Sequence, residues 1–349
     1  MPSSWCAVCC ARASSWRSSD YPAGLVSVDG PFGDGGWQPC SDRSRQRGDP
    51  LTGTGSRGMQ WFLIEISGPW GSRAFLDPPF DTTLGRALIQ RIEGAGMRPL
   101  AIRRTGRRRE QTSWSWASVD SRPGHESVRW GSVDNPEELL DVPLDGSTGE
   151  ASDRPIFAVC AHARHDQCCA VRGRQVVTTL AAAFPEETWE CSHLGGDRFA
   201  GTLVMLPHGL YYGNADDGDA VRIAEAYLDG RVVEEHYRGR SSLSHPVQAA
   251  QHYARLALGD EGIEAYPPLS ERETTTPEGG SGWTVSLGTD AGPVTVELAE
   301  SASDPLLSTC SATRQLRVRQ YELAGLTGPA AIPARGSSRS LRAERSDGP

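Results

Sequence analysis

The chain has 349 residues, carries a formal net charge of −9 and is 38% hydrophobic. That length fits about two domains, with enough apolar content for a sizeable core. So acidic a chain is not built to coat nucleic acid or an anionic membrane, and no apolar run reaches the roughly 18 residues of a transmembrane helix.

Residues 1–36 scatter Gly, Ser and Trp without periodicity and lack the continuous apolar stretch of a signal peptide. They are expected to be disordered and translated from upstream of the natural start. Cys6, Cys9 and Cys10 lie there. Without an export signal the cytoplasm is the expected compartment. A disulfide framework is not expected, and clustered cysteines lean toward metal or redox roles.

An N-terminal α/β half is expected over 37–150. QWFLIEI (60–66) is a strand ended by Pro and Gly. DTTLGRALIQRIEGAG (81–96) places Leu84, Leu88, Ile89 and Ile92 at helical spacing, with Thr82 or Thr83 as cap and Gly94 or Gly96 as stop. RPLAIRRT (98–105) is a short strand. RRTGRRRE (103–110) holds five arginines and reads as a solvated loop, with a docking patch for an acidic partner as the sharper alternative. WASVDS and SVRWGSV are β-prone. The acidic, turn-rich 135–153 is expected to link the two halves.

The second half, 151–260, repeats the rhythm. PIFAVCAH (155–162) is a buried strand, RGRQVVTTLAAAF (172–184) a helix with Val176, Val177, Leu180 and Ala181 inward, and ETWECSH (187–193) a second strand. GTLVMLPHGLYYGN (201–214) is two strands joined at Pro-His-Gly. DAVRIAEAYLDG (219–230) is an amphipathic helix with Val221, Ile223, Ala224, Tyr227 and Leu228 inward, stopped by Gly230. The order β-α-β-β-β-α fits a thioredoxin-like sheet. HPVQAAQHYARLAL (245–258) is a further helix. A β-rich extension over 261–332 contains a hairpin at 282–300 and a strand at 313–323. The tail 333–349 is poor in apolar residues and expected to be disordered.

Two motifs carry the chemistry: VCAHARHDQCCAVRG (159–173) and CSHLGGDRFAG (191–201). Both follow strands, at the carboxyl edge where α/β sheets place their sites. Cys160 and Cys169 form C-x8-C across a strand-to-helix loop. His193 and Asp197 form H-x3-D across Gly195 and Gly196. A long loop wraps a bulky inorganic group, whereas C-x2-C grips a single ion, so the spacing favours a cluster over a lone zinc. The two glycines let backbone approach the group and aim N–H donors at it. The remaining sulfurs have plainer readings: Cys168 as a small residue at the helix start, Cys191 as core, Cys40 and Cys310 as structural. His208 reads as a turn residue, and Trp61, Trp70 and Trp189 as packing.

CAHARHDQCCA followed by CSHLGGDRFAGTLVMLPHGLYYG resembles the sucrase/ferredoxin-like family of thioredoxin-fold [2Fe-2S] proteins. The likeness is dense over 156–214 and softer over 40–71, placing the natural start close to Cys40. In the C-terminal third it rests on HPVQAAQHYARLALG. The resemblance implies a [2Fe-2S] cluster held by two cysteines and two histidines. These positions fall on Cys160, Cys169 and His193, with Asp197 where the second histidine stands. An anionic carboxylate there favours the oxidised state and lowers the potential. Alternatively Asp197 only neighbours the iron, and Cys168, Cys191, His162 or His165 completes it. Gly195, Gly196 and Arg198 are the expected cluster contacts. Arg198 would neutralise cluster charge or dock a partner, or pair with Asp166 or Asp197. An exposed second nitrogen on His193 would couple the potential to pH.

The implied function is an electron carrier whose partner is a reductase or an oxidase, with neither nucleic acid nor membrane as partner. A zinc protein using the same ligands is the alternative. A thiol-redox protein using Cys160, Cys168 and Cys169 is disfavoured, because the second half has no C-x2-C at a helix start. Glycoside hydrolysis, suggested by the family's label, needs two carboxylates flanking a sugar bond, and no such pair stands out.

Overall fold

The computed structural model describes residues 38–328 apart from 79, 107–110 and 278. The stretches 1–36 and 333–349, Cys6, Cys9, Cys10 and three of the five arginines of 103–110 lie outside the described residues.

A short helix, α1 (Cys40–Arg47), precedes the first half. There β1 (Gln60–Glu65) has four consecutive buried residues, as a strand covered on both faces requires. Next comes α2 (Thr82–Gly94), which buries Leu84, Leu88 and Ile92. Its cap is Asp81, whose Oδ1 accepts the Leu84 N–H at 2.8 Å, and not the expected Thr82 or Thr83. β2 (Arg98–Arg103) runs parallel to β1, while β3 (Trp114–Asp120) and β4 (Ser127–Val133) continue antiparallel. The stretch expected to link the halves contains a 3-10 turn at Pro136–Leu140 and β5 (Glu150–Ser152), which pairs with β4.

The second half repeats this pairing. β6 (Ile156–Cys160) and β7 (Thr188–Cys191) are parallel, and β8 (Leu203–Leu206) and β9 (Leu210–Tyr212) follow antiparallel. α3 (Gln167–Ala183) and α4 (Asp217–Leu228) pack against them, and β10 (Tyr237–Arg240) adds to the edge. Each half therefore has two parallel strands extended by an antiparallel pair, a thioredoxin-like α/β arrangement. The halves meet where β2 pairs antiparallel with β7, Ile102 opposite Cys191, making one ten-stranded sheet in the order β10-β9-β8-β6-β7-β2-β1-β3-β4-β5.

That sheet curls on itself. β1 and β9 stand five places apart, a distance of about 24 Å in a flat sheet. Yet the rings of Trp61 and Tyr211 stack with centroids 6.3 Å apart. Trp130 of β4 likewise stacks on Trp189 of β7 at 5.3 Å. The concave face thus closes over a shared core containing Trp61, Leu100, Ile102, Ile156, Val204 and Tyr211. α3 and α4 cover the other face in the second half, and α2 in the first. Trp61, Trp70 and Trp189 are buried, as expected of packing residues.

Past the sheet, α5 (His245–Leu258) lies on a four-stranded antiparallel meander of β11 (Pro268–Thr275), β12 (Ser281–Leu287), β13 (Val294–Ala302) and β14 (Arg319–Thr327). The sequence reading had missed β10 and β11. Both are rich in polar residues (YRGR and PLSERETT) and show no apolar alternation. Leu228 is 53% exposed rather than inward. The face α4 buries is Ala220, Ile223, Ala224 and Tyr227, and the next residue turns about 100° away from it.

The arginines at 103 and 104 are not a solvated loop. Arg103 forms an ion pair with Glu190 at 2.5 Å and lies over Trp70. Arg104 lies over Trp189 and donates to the carbonyls of Pro185, Glu186 and Thr188.

Candidate metal centre

The two central parallel strands, β6 and β7, end side by side with Cys160 in register with Cys191. α3 begins at Gln167, earlier than its apolar period announces, because Asp166 caps it: Oδ1 accepts the Cys168 N–H at 2.8 Å. Cys168 and Cys169 therefore both sit in the first turn. Gly173, one turn further on, lets α3 lie against the end of β6. A Cβ at that position would fall 2.0 Å from the Cys160 carbonyl oxygen.

After β7 the chain makes a tight turn through Gly195 and Gly196, with φ +95° and +84°, into the 3-10 turn Asp197–Phe199. These left-handed conformations suit glycine. At Gly196 a Cβ would also collide with the Arg238 guanidinium at 2.5 Å. Gly196 thus makes room for a buried arginine, a use that its sequence context does not signal, while a Cβ at Gly195 would meet Ser56 Oγ at 2.5 Å. Arg238 donates to Gly195 O at 3.0 Å, Thr54 O at 2.8 Å and Thr54 Oγ1 at 3.1 Å, clamping the turn. Burial pushes its pKa down to about 10. Nothing in the tetrapeptide YRGR signals this role.

This scaffold brings the predicted ligands together. The donor atoms of Cys160, Cys169 and His193 lie within 4.8 Å of one another. Asp197 joins them: its Oδ1 is 3.3 Å from Cys169 Sγ and 3.2 Å from His193 Nδ1. Both cysteines and Asp197 are buried, while the His193 side chain is 27% exposed. His165, exposed, stacks on His193 with ring centroids 3.8 Å apart, and its donor atom falls within 4.8 Å of those of His193 and Asp197.

The electrostatics are those of anions without enough cation. A hydrogen bond from Cys169, against the opposing effect of burial, holds the Cys160 thiol well below its ordinary pKa, and His193 adds to this. The Cys169 thiol moves up, because it donates to Cys160 and is buried beside it. Burial raises the Asp197 carboxyl. Burial disfavours the His193 imidazolium, but the hydrogen bond to Cys160 and the Asp197 charge outweigh it and raise that pKa. His193 Nδ1 faces Asp197 yet is buried with no hydrogen-bond partner. Such a set of soft thiolates, an imidazole and a carboxylate is suited to a thiophilic metal.

The other candidates are otherwise engaged. His162 is buried, with Nε2 2.6 Å from Gly71 O and its ring edge-on to Trp70. Cys191 is fully buried in β7, and burial drives its pKa up. Arg198 pairs with Asp49, Nε 3.4 Å from Oδ2, and covers the Phe199 ring, so its ion partner is neither Asp166 nor Asp197. His208 sits at the β8–β9 turn with Nδ1 2.7 Å from Tyr227 Oη.

The family model of the sucrase/ferredoxin-like proteins matches residues 51–239, more than half of the chain. This chain belongs to the sucrase/ferredoxin-like family. No curated protein and no solved structure matched it. All four ligand candidates of this sucrase/ferredoxin-like protein, and the Arg238 clamp, fall inside the matched stretch.

Proposed function

We propose that this protein transfers electrons and holds a [2Fe-2S] cluster between the thiolate pair Cys160 and Cys169 and the pair His193 and Asp197. The observation that carries this reading is the meeting of those four side chains at the carboxyl edge of the sheet, three donor atoms falling within 4.8 Å. The donor set fits such a group on two counts. A buried carboxylate has a thiol as its hydrogen-bond donor, and a buried imidazole nitrogen faces that carboxylate at 3.2 Å without a hydrogen bond. Cation binding relieves both. When bound, such a cluster takes up and releases one electron at a time.

The chain's own residues then divide the work. Cys160 and Cys169 bind from the buried side. His193, the most exposed of the four, and His165 stacked upon it form the side nearest solvent, where a redox partner approaches. Arg238 holds the turn between His193 and Asp197 in place from beneath.

The close spacing of the donors also suits a single tetrahedral zinc ion, the second reading. Metal and acid-labile sulfide analysis of protein purified without oxygen separates the two. The expected result is a red-brown protein with iron and sulfide in equal amounts and a paramagnetic signal on reduction. Zinc at Cys160 and Cys169 with neither iron nor sulfide overturns the reading.

A further inference from the structure

We propose that Cys40, Cys168 and Cys310, with Asp166 at the fourth corner, form a second metal site, which takes one tetrahedral zinc ion. It is distinct from the centre at Cys160 and Cys169.

The three sulfurs come from chain segments 128, 142 and 270 residues apart. Cys40 is the first residue of α1, Cys168 lies in the first turn of α3, and Cys310 sits in the excursion between β13 and β14. Their Sγ atoms stand 3.6 Å (Cys40–Cys168), 3.6 Å (Cys40–Cys310) and 3.1 Å (Cys168–Cys310) apart. Asp166 Oδ1 is 3.9 Å from Cys40 Sγ. With zinc–sulfur bonds of about 2.3 Å, the edge of a tetrahedral thiolate site is about 3.8 Å. Three of the four separations fall close to that edge, the Cys168–Cys310 one is shorter, and all four donor atoms lie within 4.8 Å of one another.

Hydrogen-bond donors point at two of the sulfurs. Ser41 donates to Cys168 Sγ from its N–H at 3.5 Å and its Oγ at 3.2 Å, and the Cys40 N–H points at Cys310 Sγ at 3.5 Å. Asp166 is oriented by two N–H donors, that of Cys168 at 2.8 Å and that of Cys310 at 2.7 Å. Each carboxylate oxygen keeps a lone pair for an ion. Hydrogen bonds of this kind orient metal ligands. The Arg172 Nε donates to Ser41 Oγ at 3.0 Å and brings positive charge close by.

Apolar packing adds little at this place. The apolar cluster joining these segments consists of Cys40, Cys168, Ala200 and Cys310, with no large side chain among them. One ion would tie the start of α1 and the β13–β14 excursion to the helix that also carries Cys169. Thiolates bound to different irons of a polynuclear cluster are held apart by the bridging sulfides. Three sulfurs converging on one point suit a single ion instead, and soft thiolates select zinc over magnesium or calcium. Cys40 and Cys310 both lie outside the stretch matched by the family model.

The test is elemental analysis of the full-length protein and of Cys40→Ser, Cys310→Ser and Cys160→Ser variants. The expected result is about one zinc per chain in the wild type. Zinc is lost from Cys40→Ser and Cys310→Ser while their other metal content and visible spectrum persist, and it is retained in Cys160→Ser. Should Cys40→Ser and Cys310→Ser not fold, cobalt substitution of Cys160→Ser, which lacks a thiolate of the first centre, reads the site directly. Thiolate-to-cobalt charge-transfer bands with intense ligand-field bands support it, and their absence overturns it. Zinc lost from Cys160→Ser but kept in Cys310→Ser overturns the proposal, as does a Cys168–Cys310 disulfide in peptides mapped without reductant. The two proposed ligand sets share no residue, though Asp166 also lies within 4.8 Å of Cys169 and Asp197, and the Cys160→Ser variant lets this inference and the proposed function fail separately.

Discussion

Cys168 and Cys169 are adjacent in the chain, yet their thiols join different groups of side chains. Cys169 Sγ lies 3.3 Å from the Asp197 carboxylate, and Cys168 Sγ lies 3.1 Å from Cys310 Sγ. Successive residues of a helix point about 100° apart, so the first turn of α3 faces two groups of candidate ligands at once. Cys169→Ser is therefore expected to lose the visible spectrum while retaining zinc, and Cys168→Ser the reverse. Paired metal analysis and absorption spectra of the two variants check this.

Gly173→Ala should disturb both sites from a distance. The added Cβ would sit 2.0 Å from the Cys160 carbonyl oxygen, so α3 must move off the end of β6. Overpacking of this kind costs about 1–3 kcal/mol. At Gly94, also helical, a Cβ meets nothing within 4 Å, and alanine is expected to be neutral or to stabilise by up to about 1 kcal/mol. Urea unfolding of the two variants, with metal content measured alongside, gives the contrast.

Arg238→Lys is expected to loosen the turn that carries His193 and Asp197. Lysine cannot reach Thr54 O, Thr54 Oγ1 and Gly195 O together, as the guanidinium does. Unsatisfied buried acceptors cost about 1–3 kcal/mol. The rate of metal release to a chelator should rise well above that of the wild type, and equal rates would remove Arg238 from any positioning role.

Asp197→His exchanges an anionic oxygen donor for a neutral nitrogen. If Asp197 binds the iron, removing its charge disfavours the oxidised state, and the reduction potential moves upward. Potentiometric titration of both proteins measures the shift. An unchanged potential with an intact cluster would place Asp197 beside the metal and not on it.

Acid should destabilise the fold through His245, at the start of α5. Burial first, and then the charges of Arg319, Arg57 and Arg238, lower its pKa to about 4 from an ordinary 6.5, while a hydrogen bond with Gly55 opposes this. The unfolded chain then binds more protons than the native one between those values. The contribution is therefore intact above about pH 6.5 and is lost as the pH falls toward 4. Between about pH 7.5 and 5 it amounts to about 2 kcal/mol. Denaturant unfolding at both pH values should show His245→Gln losing that much less than the wild type.

Much of this was legible in the residues themselves. The strands β1, β6 and β7 are apolar runs of strand length, α2, α4 and α5 show helical periods, and the Pro-His-Gly turn separates β8 from β9. These are local signals, set by neighbours along the chain. The meeting of Cys160, Cys169, His193 and Asp197 was equally readable, because these candidate ligands occupy two short loops after adjacent strands, and the sheet brings such loops together. The boundaries of α3 were not, since a cap at Asp166 and not an apolar period sets where it begins. Neither was the role of Gly196, whose side-chain space is taken by Arg238 from a strand with no apolar pattern. The meeting of Cys40, Cys168 and Cys310 was out of reach altogether. Spacing says nothing about sulfurs up to 270 residues apart. Only the packing of α1, α3 and the β13–β14 excursion decides that three cysteines, each read singly as structural, share one point in space.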